Sequence, residues 1–212
     1  MKKNYLLVLL FLLLFSCEER SNEEGSELQV YYYPEKENFE PTANKKNIFI
    51  ESIGTYEDLL NEIDKVACED SVPVINYSTS KVRFELLPWY ECSEKNIISC
   101  PTFRSRIFIQ NDSILTNYDI RHSIDSLEAI LERHLLNKGK DFNYADSPEK
   151  AGVEIYFEKD VEFREIKSLL VKLSEEFNKL NEKFPDTLYL NILFRDYPLK
   201  RIPISPPPKQ TK

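Results

Sequence analysis

The longest periodic stretch in the chain lies near its C-terminus and demands a helix packed against something apolar. Ile166, Leu169, Leu170, Leu173, Phe177, Leu180 and Phe184 recur three and four residues apart, so their side chains share one face of a helix expected over 161–184. Asp160 stands where its carboxylate can cap the first turn. Val153–Phe157 (VEIYF) precedes this helix and Leu188–Phe194 (LYLNILF) follows it after Pro185. Both are short, apolar and rich in β-branched or aromatic residues, the composition of strands.

A similar unit opens the folded part of the chain. Asn47–Ile53 alternates as a strand, and Thr55 can cap a helix that carries Glu57 and Asp58 in its first turn, next to the positive end of the dipole. Leu59, Leu60, Ile63, Val66 and Ala67 fall on one face of it. Val72–Tyr77 and Lys81–Leu87 are further strands, and Pro88, Trp89 and Tyr90 lead into a cysteine-bearing loop. Arg106–Gln110 and Ser113–Asn117 flank Asn111-Asp112, a hairpin signal without a glycine. A helix is expected from about Ser123 to Asn137, with Ile120, Ile124, Leu127, Ile130, Leu131 and Leu135 on its buried side and Gly139 placed to end it.

The order of elements predicts an α/β (α+β) fold: a mixed β-sheet with helices packed mainly on one face, readable as two related β-α-β units. Residues 47–103 form a β-α-β-β subdomain with the cysteine loop, and residues 104–196 a β-β-α-β-α-β domain. Leu28–Tyr33 (LQVYYY) is an isolated strand candidate that can pair at a sheet edge.

The N-terminus reads as an address. Met1–Cys17 has Lys2 and Lys3, then eleven apolar or aromatic residues from Tyr5 to Phe15, then Ser16 and Cys17. This is the layout of a secretory signal peptide over residues 1–16. Eleven helical residues reach only ~17 Å, too short for a hydrocarbon core of ~30 Å. Leu14-Phe15-Ser16-Cys17 resembles a bacterial lipobox, after which Cys17 carries the lipid; Phe15 is bulkier than the residue usual there, and an ordinary signal peptide with an incidental cysteine is the alternative. Eight glutamates between Glu18 and Glu40, with Pro34 and Pro41, make residues 17–46 a lipidated cysteine and acidic tether. The acidic residues behind Cys17 are similar to the surface-export signal of lipoproteins in Bacteroidetes-type bacteria. The expected location is therefore the cell envelope, lipid-anchored at an outer membrane and facing periplasm or surface.

Charge narrows the partners. The formal net charge is −8, and it becomes more negative when Lys2 and Lys3 leave with the signal. Such a chain repels phosphate backbones and anionic headgroups, so nucleic acid is not an expected partner and membrane contact must come from the lipid. An envelope protein partner or self-association is expected instead.

Three cysteines follow Cys17. Cys92 and Cys100 enclose a polar, turn-like stretch and are candidates for a disulfide worth ~2–3 kcal/mol in the chain-entropy model. Cys68 is expected as a buried thiol, with pairing to either of the others left open. No CxxC or HxxxH spacing occurs, so no metal and no cofactor are expected. His122 and His134 read as ordinary helix-edge residues.

Residues 104–194 resemble a known family. VEIYFEKDVEFREIKSLLVKLSEEFNKLNEKF is similar to the C-terminal periplasmic domain of the ExbD/TolR biopolymer-transport family, in which a strand ends near an aspartate, an aromatic follows, and a long amphipathic helix begins. Phe157, Asp160 and Phe163 stand at those places, and Phe177-Asn178-Lys179-Leu180 resembles the helix end. RIFIQNDSILTNYDIRHSIDSLEAILERHL resembles the family's hairpin and first helix. The resemblance implies a periplasmic α/β module that dimerises or holds a peptide strand at a sheet edge. The family's transmembrane helix with its proton-handling aspartate has no counterpart, because Met1–Cys17 contains no acidic residue.

Catalytic patterns are missing from the sequence: it has no G-x-S-x-G, P-loop, GxGxxG or HExxH. Paired carboxylates such as Glu175-Glu176 read as solvated helix faces. The chain is therefore expected to be a non-enzymatic interaction module of the envelope, linked to envelope transport machinery. The alternative is a ligand-binding lipoprotein that meets a glycan or peptide through aromatics, with Trp89 and Tyr90 the candidate contacts and Tyr31–Tyr33 a second surface. Most other aromatics are expected in the core. The tail over 197–212 is rich in proline and basic residues, and Pro206–Pro208 can only be extended. It is expected as a disordered end, with a groove ligand as its other use.

Overall fold

Two sheets form, and both bury the same kind of face against helices. The computed structural model describes residues 28–33, 44–95, 105–117, 120–185 and 187–199. The signal segment, Cys17, Cys100, most of the acidic tether and the tail beyond residue 199 lie outside the described residues. Among those described, the strands are β1 Gln29–Tyr33, β2 Lys45–Phe49, β3 Val72–Ser78, β4 Val82–Leu86, β5 Arg106–Gln110, β6 Ser113–Thr116, β7 Ile120–Ser123, β8 Gly152–Tyr156 and β9 Asn191–Phe194. The α-helices are α1 Tyr56–Cys68, α2 Leu127–Leu136 and α3 Phe163–Lys183. None of them is long and apolar enough to cross a membrane.

The first sheet has the order β1-β4-β3-β2 and the second β7-β6-β5-β8-β9. β2-α1-β3 and β8-α3-β9 each join neighbouring parallel strands through one helix, so the two β-α-β units expected from the pattern are present. The mixed α/β class follows from the antiparallel pairs β3–β4, β5–β6 and β6–β7 beside these parallel ones. Alternation places Ile75, Tyr77, Phe84 and Leu86 on the helix side of the first sheet, and Ile107, Ile109, Val153, Ile155 and Ile192 on that of the second.

The expected subdomain over 47–103 and domain over 104–196 share one core. One continuous apolar cluster runs from Tyr33 and Ile48 through α1 and α3 to Phe194. Ile166, Leu170, Leu173, Phe177 and Leu180 of α3 are buried in it. The same helix receives hydrogen bonds from the first sheet: Tyr77 Oη lies 2.6 Å from Ser174 Oγ, and Tyr33 Oη donates to Asn178 Oδ1 at 2.6 Å.

Several local expectations are corrected. Ile120 is 43 % exposed and belongs to β7 rather than to the buried face of α2, which begins only after a 3₁₀ turn over Ile124–Ser126. Asp160 does not cap α3; Glu162 holds that position without a side-chain bond, because Val161 O accepts from Tyr56 N–H at 2.9 Å and Glu162 bridges Thr55. The last strand is shorter than expected, starting at Asn191. Thr55 does cap α1, in a reciprocal box with Asp58. Asn111 (φ 51°) turns the β5–β6 hairpin, and Lys138 (φ 49°) with Gly139 (φ 73°) turns the chain after α2.

Tyr56 ties the two halves together. It is buried at the start of α1, and its hydroxyl lies 2.8 Å from the carbonyl oxygens of both Ile155 and Arg195 while accepting from Arg195 N–H at 3.1 Å. Burial holds its phenol above the ordinary tyrosine range. Tyr56→Phe keeps the packing and strands these backbone groups, so it should destabilise the protein by about 1–3 kcal/mol. Urea unfolding monitored by circular dichroism measures this; an unchanged midpoint would remove the hydroxyl from the account of stability.

Candidate functional site

β1 lies at the edge of the first sheet, paired only with β4 among the described strands. Its alternation sends Tyr31 and Tyr33 to the core side. There their rings stack on Phe84 at 6.0 and 6.2 Å, and Tyr33 meets Phe177 edge-on at 5.5 Å. Helical spacing places Phe177, Asn178, Asn181 and Glu182 on one side of the last turns of α3. Leu188–Leu190, the extended lead into β9, completes the enclosure.

These three segments line a groove of about 340 Å³ whose walls are Val30–Tyr33, the end of α3 and Leu188–Leu190. The size falls within the range of specific binding pockets. Four tyrosines and Phe177 supply ring surface, while Asn178, Asn181 and Glu182 supply polar contacts. Asn181 Oδ1 is buried and has no hydrogen-bond partner among the described residues. A buried acceptor without a donor costs about 1–3 kcal/mol, and a ligand with an N–H would relieve that cost. Tyr33 is held as a neutral phenol, its pKa raised first by burial and then by Tyr77. The groove offers shape, rings and hydrogen-bonding groups, but no acid–base pair.

The second candidate surface surrounds Trp89, which is 55 % exposed. Its backbone N–H donates to Ile192 O at 2.7 Å, a bridge that carries the β4 segment across to β9 in the second sheet. The Arg106 guanidinium sits 5.1 Å from the indole centroid. Lys150, Gly152 and Asn191 border a shallow depression beside it. Tyr90 is half-buried against the core and presents much less surface than Trp89. Beneath this region Glu154 is buried and paired with both Arg106 and Arg195.

The segment holding Trp89 is clasped from its other end. Cys92 forms a disulfide with Cys68 of α1, with Cα atoms 4.8 Å apart. This replaces the Cys92–Cys100 candidate and the buried thiol expected at Cys68, and is one of the two pairings left open for Cys68. The pairing joins residues 24 apart in sequence; α1 places Cys68 beside the loop, which residue spacing alone could not reveal. Asp64, one turn before Cys68, accepts from Ser93 N–H at 2.8 Å and from Ser93 Oγ at 2.9 Å. Asp64, Cys68 and Cys92 bring their ligand atoms within 4.8 Å of one another, but an oxidised pair offers no thiolate, and the cluster acts as a structural clasp.

The two histidines do not meet in a site. His122 lies on β7 with Nε2 3.3 Å from Thr116 Oγ1. His134 is wholly buried rather than at a helix edge. Its Nε2 donates to Gly152 O at 3.1 Å and its Nδ1 accepts from Ala145 N–H at 3.4 Å. Together with Asn137, whose side chain bonds to the backbone at Asp141, Tyr144 and Ala145, it ties α2 to the following loop and to β8.

Of the contacts expected from sequence, Trp89 is presented, and Tyr31–Tyr33 form one wall of the groove. Asn178, Asn181 and Glu182 were not singled out as binding residues, and only their place on the polar flank of α3 could have suggested them. Compared with known proteins, the chain matches no family model, no curated protein and no solved structure.

Burial lowers the His134 pKa to about 4, against the opposing bonds to Gly152 and Ser105. The unfolded chain therefore binds a proton that the folded chain excludes. His134 contributes fully above its unfolded value of about 6.5, and up to ~3 kcal/mol is lost as pH falls from there to about 4. Urea midpoints at pH 7.5 and 4.5 should show a smaller acid loss for His134→Gln than for the unsubstituted protein. Equal losses would assign the acid sensitivity to other groups.

Proposed function

We propose that this chain is a lipid-anchored, non-enzymatic interaction module of the cell envelope that holds an extended peptide segment in the groove beside β1. The groove carries this reading, because β1, a stretch of the acidic tether itself, sets its edge, its tyrosines and the end of α3 around one cavity. Tyrosine-rich surfaces give contact area at low entropic cost. The Asn181 acceptor calls for a donor such as a peptide N–H. The signal-like run ending in Cys17 supports a lipid at the N-terminus, and the resemblance of residues 104–194 to ExbD/TolR supports a partner in envelope transport machinery. The membrane is an outer one, and the module faces periplasm or cell surface.

Anchoring is tested by expressing the chain in a bacterial host that processes a control lipoprotein. The expected product carries a lipid mass and partitions into detergent, and Cys17→Ala loses both. Identical unlipidated, soluble products would overturn the anchored reading. For the groove, a displayed library of extended peptides should yield binders whose affinity falls about tenfold with Asn181→Leu. Failure to select any binder would overturn it.

Trp89 favours a second reading, a glycan-binding lipoprotein, since an exposed indole held at both ends of its segment is a ready stacking platform. As the single tryptophan, it reports directly: envelope polysaccharide fragments should shift its emission saturably. An unaltered spectrum would remove this reading.

A further inference from the structure

The groove and the C-terminal tail of this same chain have complementary chemistry. We propose that the groove of one copy receives Pro206–Lys209 from the tail of a second copy, an inference that rests on the groove being a peptide site. Tyr31, Tyr32, Tyr33, Tyr189 and Phe177 line the cavity, and aromatic-lined grooves take proline-rich segments, which reach them already extended and lose little entropy. Lys209 directly follows Pro206, Pro207 and Pro208. Glu182, exposed on the rim, offers it an opposite charge, and Asn181 Oδ1 offers an acceptor without a donor among the described residues. Lengths agree as well: four β1 residues from Val30 to Tyr33 span ~13 Å, and four residues in polyproline geometry span ~12 Å.

Topology favours a neighbour's tail over the chain's own. β5, β8 and β9 run parallel, and Leu188–Leu190 lie before the start of β9. Leu199 N–H donates to Gln110 Oε1 at 3.1 Å, and Gln110 is the last residue of β5. The tail therefore leaves from the opposite end of the second sheet, two strands away from β9. The straight path from there to the groove is ~22 Å, from ~20 Å along the strands and ~10 Å across them. The seven steps from Leu199 to Pro206 reach at most ~25 Å at full stretch, so the chain's own tail would have to run taut and nearly straight to arrive. A neighbour's tail carries no such restriction. The resulting contact is head-to-tail, one copy's groove with the next copy's tail, and tethering of copies to one membrane raises their effective concentration.

The test is sedimentation of the full-length chain in detergent over a range of concentrations. Reversible self-association is expected, weakened about tenfold by Glu182→Lys, by Lys209→Glu, or by replacing Pro206, Pro207 and Pro208 together with alanine. Glu182 is exposed and the other positions lie in the tail, so the folded core is not disturbed. An equimolar mixture of the Glu182→Lys and Lys209→Glu chains should regain association, because the reversed tail meets the reversed groove. A chain that stays monomeric, or associates equally well in all variants, overturns the proposal. Tyrosine-ring NMR signals then separate this failure from that of the groove itself. If a library-selected peptide moves them and a synthetic peptide of residues 200–212 does not, the tail is wrong and the groove stands. If neither moves them, both fall.

Discussion

Everything in this molecule depends on one helix having two sheets to cover. The apolar face of α3 is buried along its length, and neither sheet could supply that cover alone. Its first turns meet the segment after β2, where Lys167 pairs with Glu51, and α2 packs along it. Its later turns meet Tyr33 and Tyr77 from the first sheet, whose hydroxyls end on Ser174 and Asn178. A buried leucine truncated to alanine commonly costs 2–5 kcal/mol, and at Leu173 such a change would loosen a core shared by both sheets rather than one lobe. The groove is a by-product of this sharing, since it opens where the last turns of α3 run out between β1 and the approach to β9.

Polar groups inside the protein are spent on fixing that arrangement. Tyr56 joins the start of α1 to the ends of β8 and β9. His134 and Asn137 fasten α2 to its loop, and Glu154 is held between two arginines. Buried ion pairs contribute little net stability against an apolar replacement, because desolvation offsets most of their attraction. Their geometry is demanding, however, and Arg106 also backs the indole of Trp89. The same cation thus sets the sheet face and supports the exposed ring above it.

Much of this was readable from the sequence wherever the signal was local. The period of α3, the Thr55 cap and the β5–β6 hairpin depend on neighbouring residues alone. Errors arose where tertiary contacts overrode local preference. Ile120 matches the phase of α2 but lies in β7, an edge strand whose mixed exposure hides its alternation. Asp160 is a good cap by type, yet backbone pairing between Val161 and Tyr56 starts α3 later. Cys92 found a partner across the fold, on α1, and not in its own loop. At the site, the tyrosine triplet was visible as a cluster. Its counterparts on α3 were not, because a residue such as Asn181 becomes a binding group only when something packs opposite it.

Synthesis runs from one end of the chain to the other, and α3 is made late. When β1 to β4 and α1 have emerged, their apolar faces still lack the helix that covers them, and Tyr56 has no carbonyls to reach until β8 and the end of β9 exist. Contacts between residues 139 positions apart make this a fold that closes slowly. An incomplete chain therefore stays open and exposed to proteases and chaperones until nearly its whole length is present. Under the proposed export to the envelope this delay would be useful, since a polypeptide threaded through a narrow channel must not collapse before it has crossed.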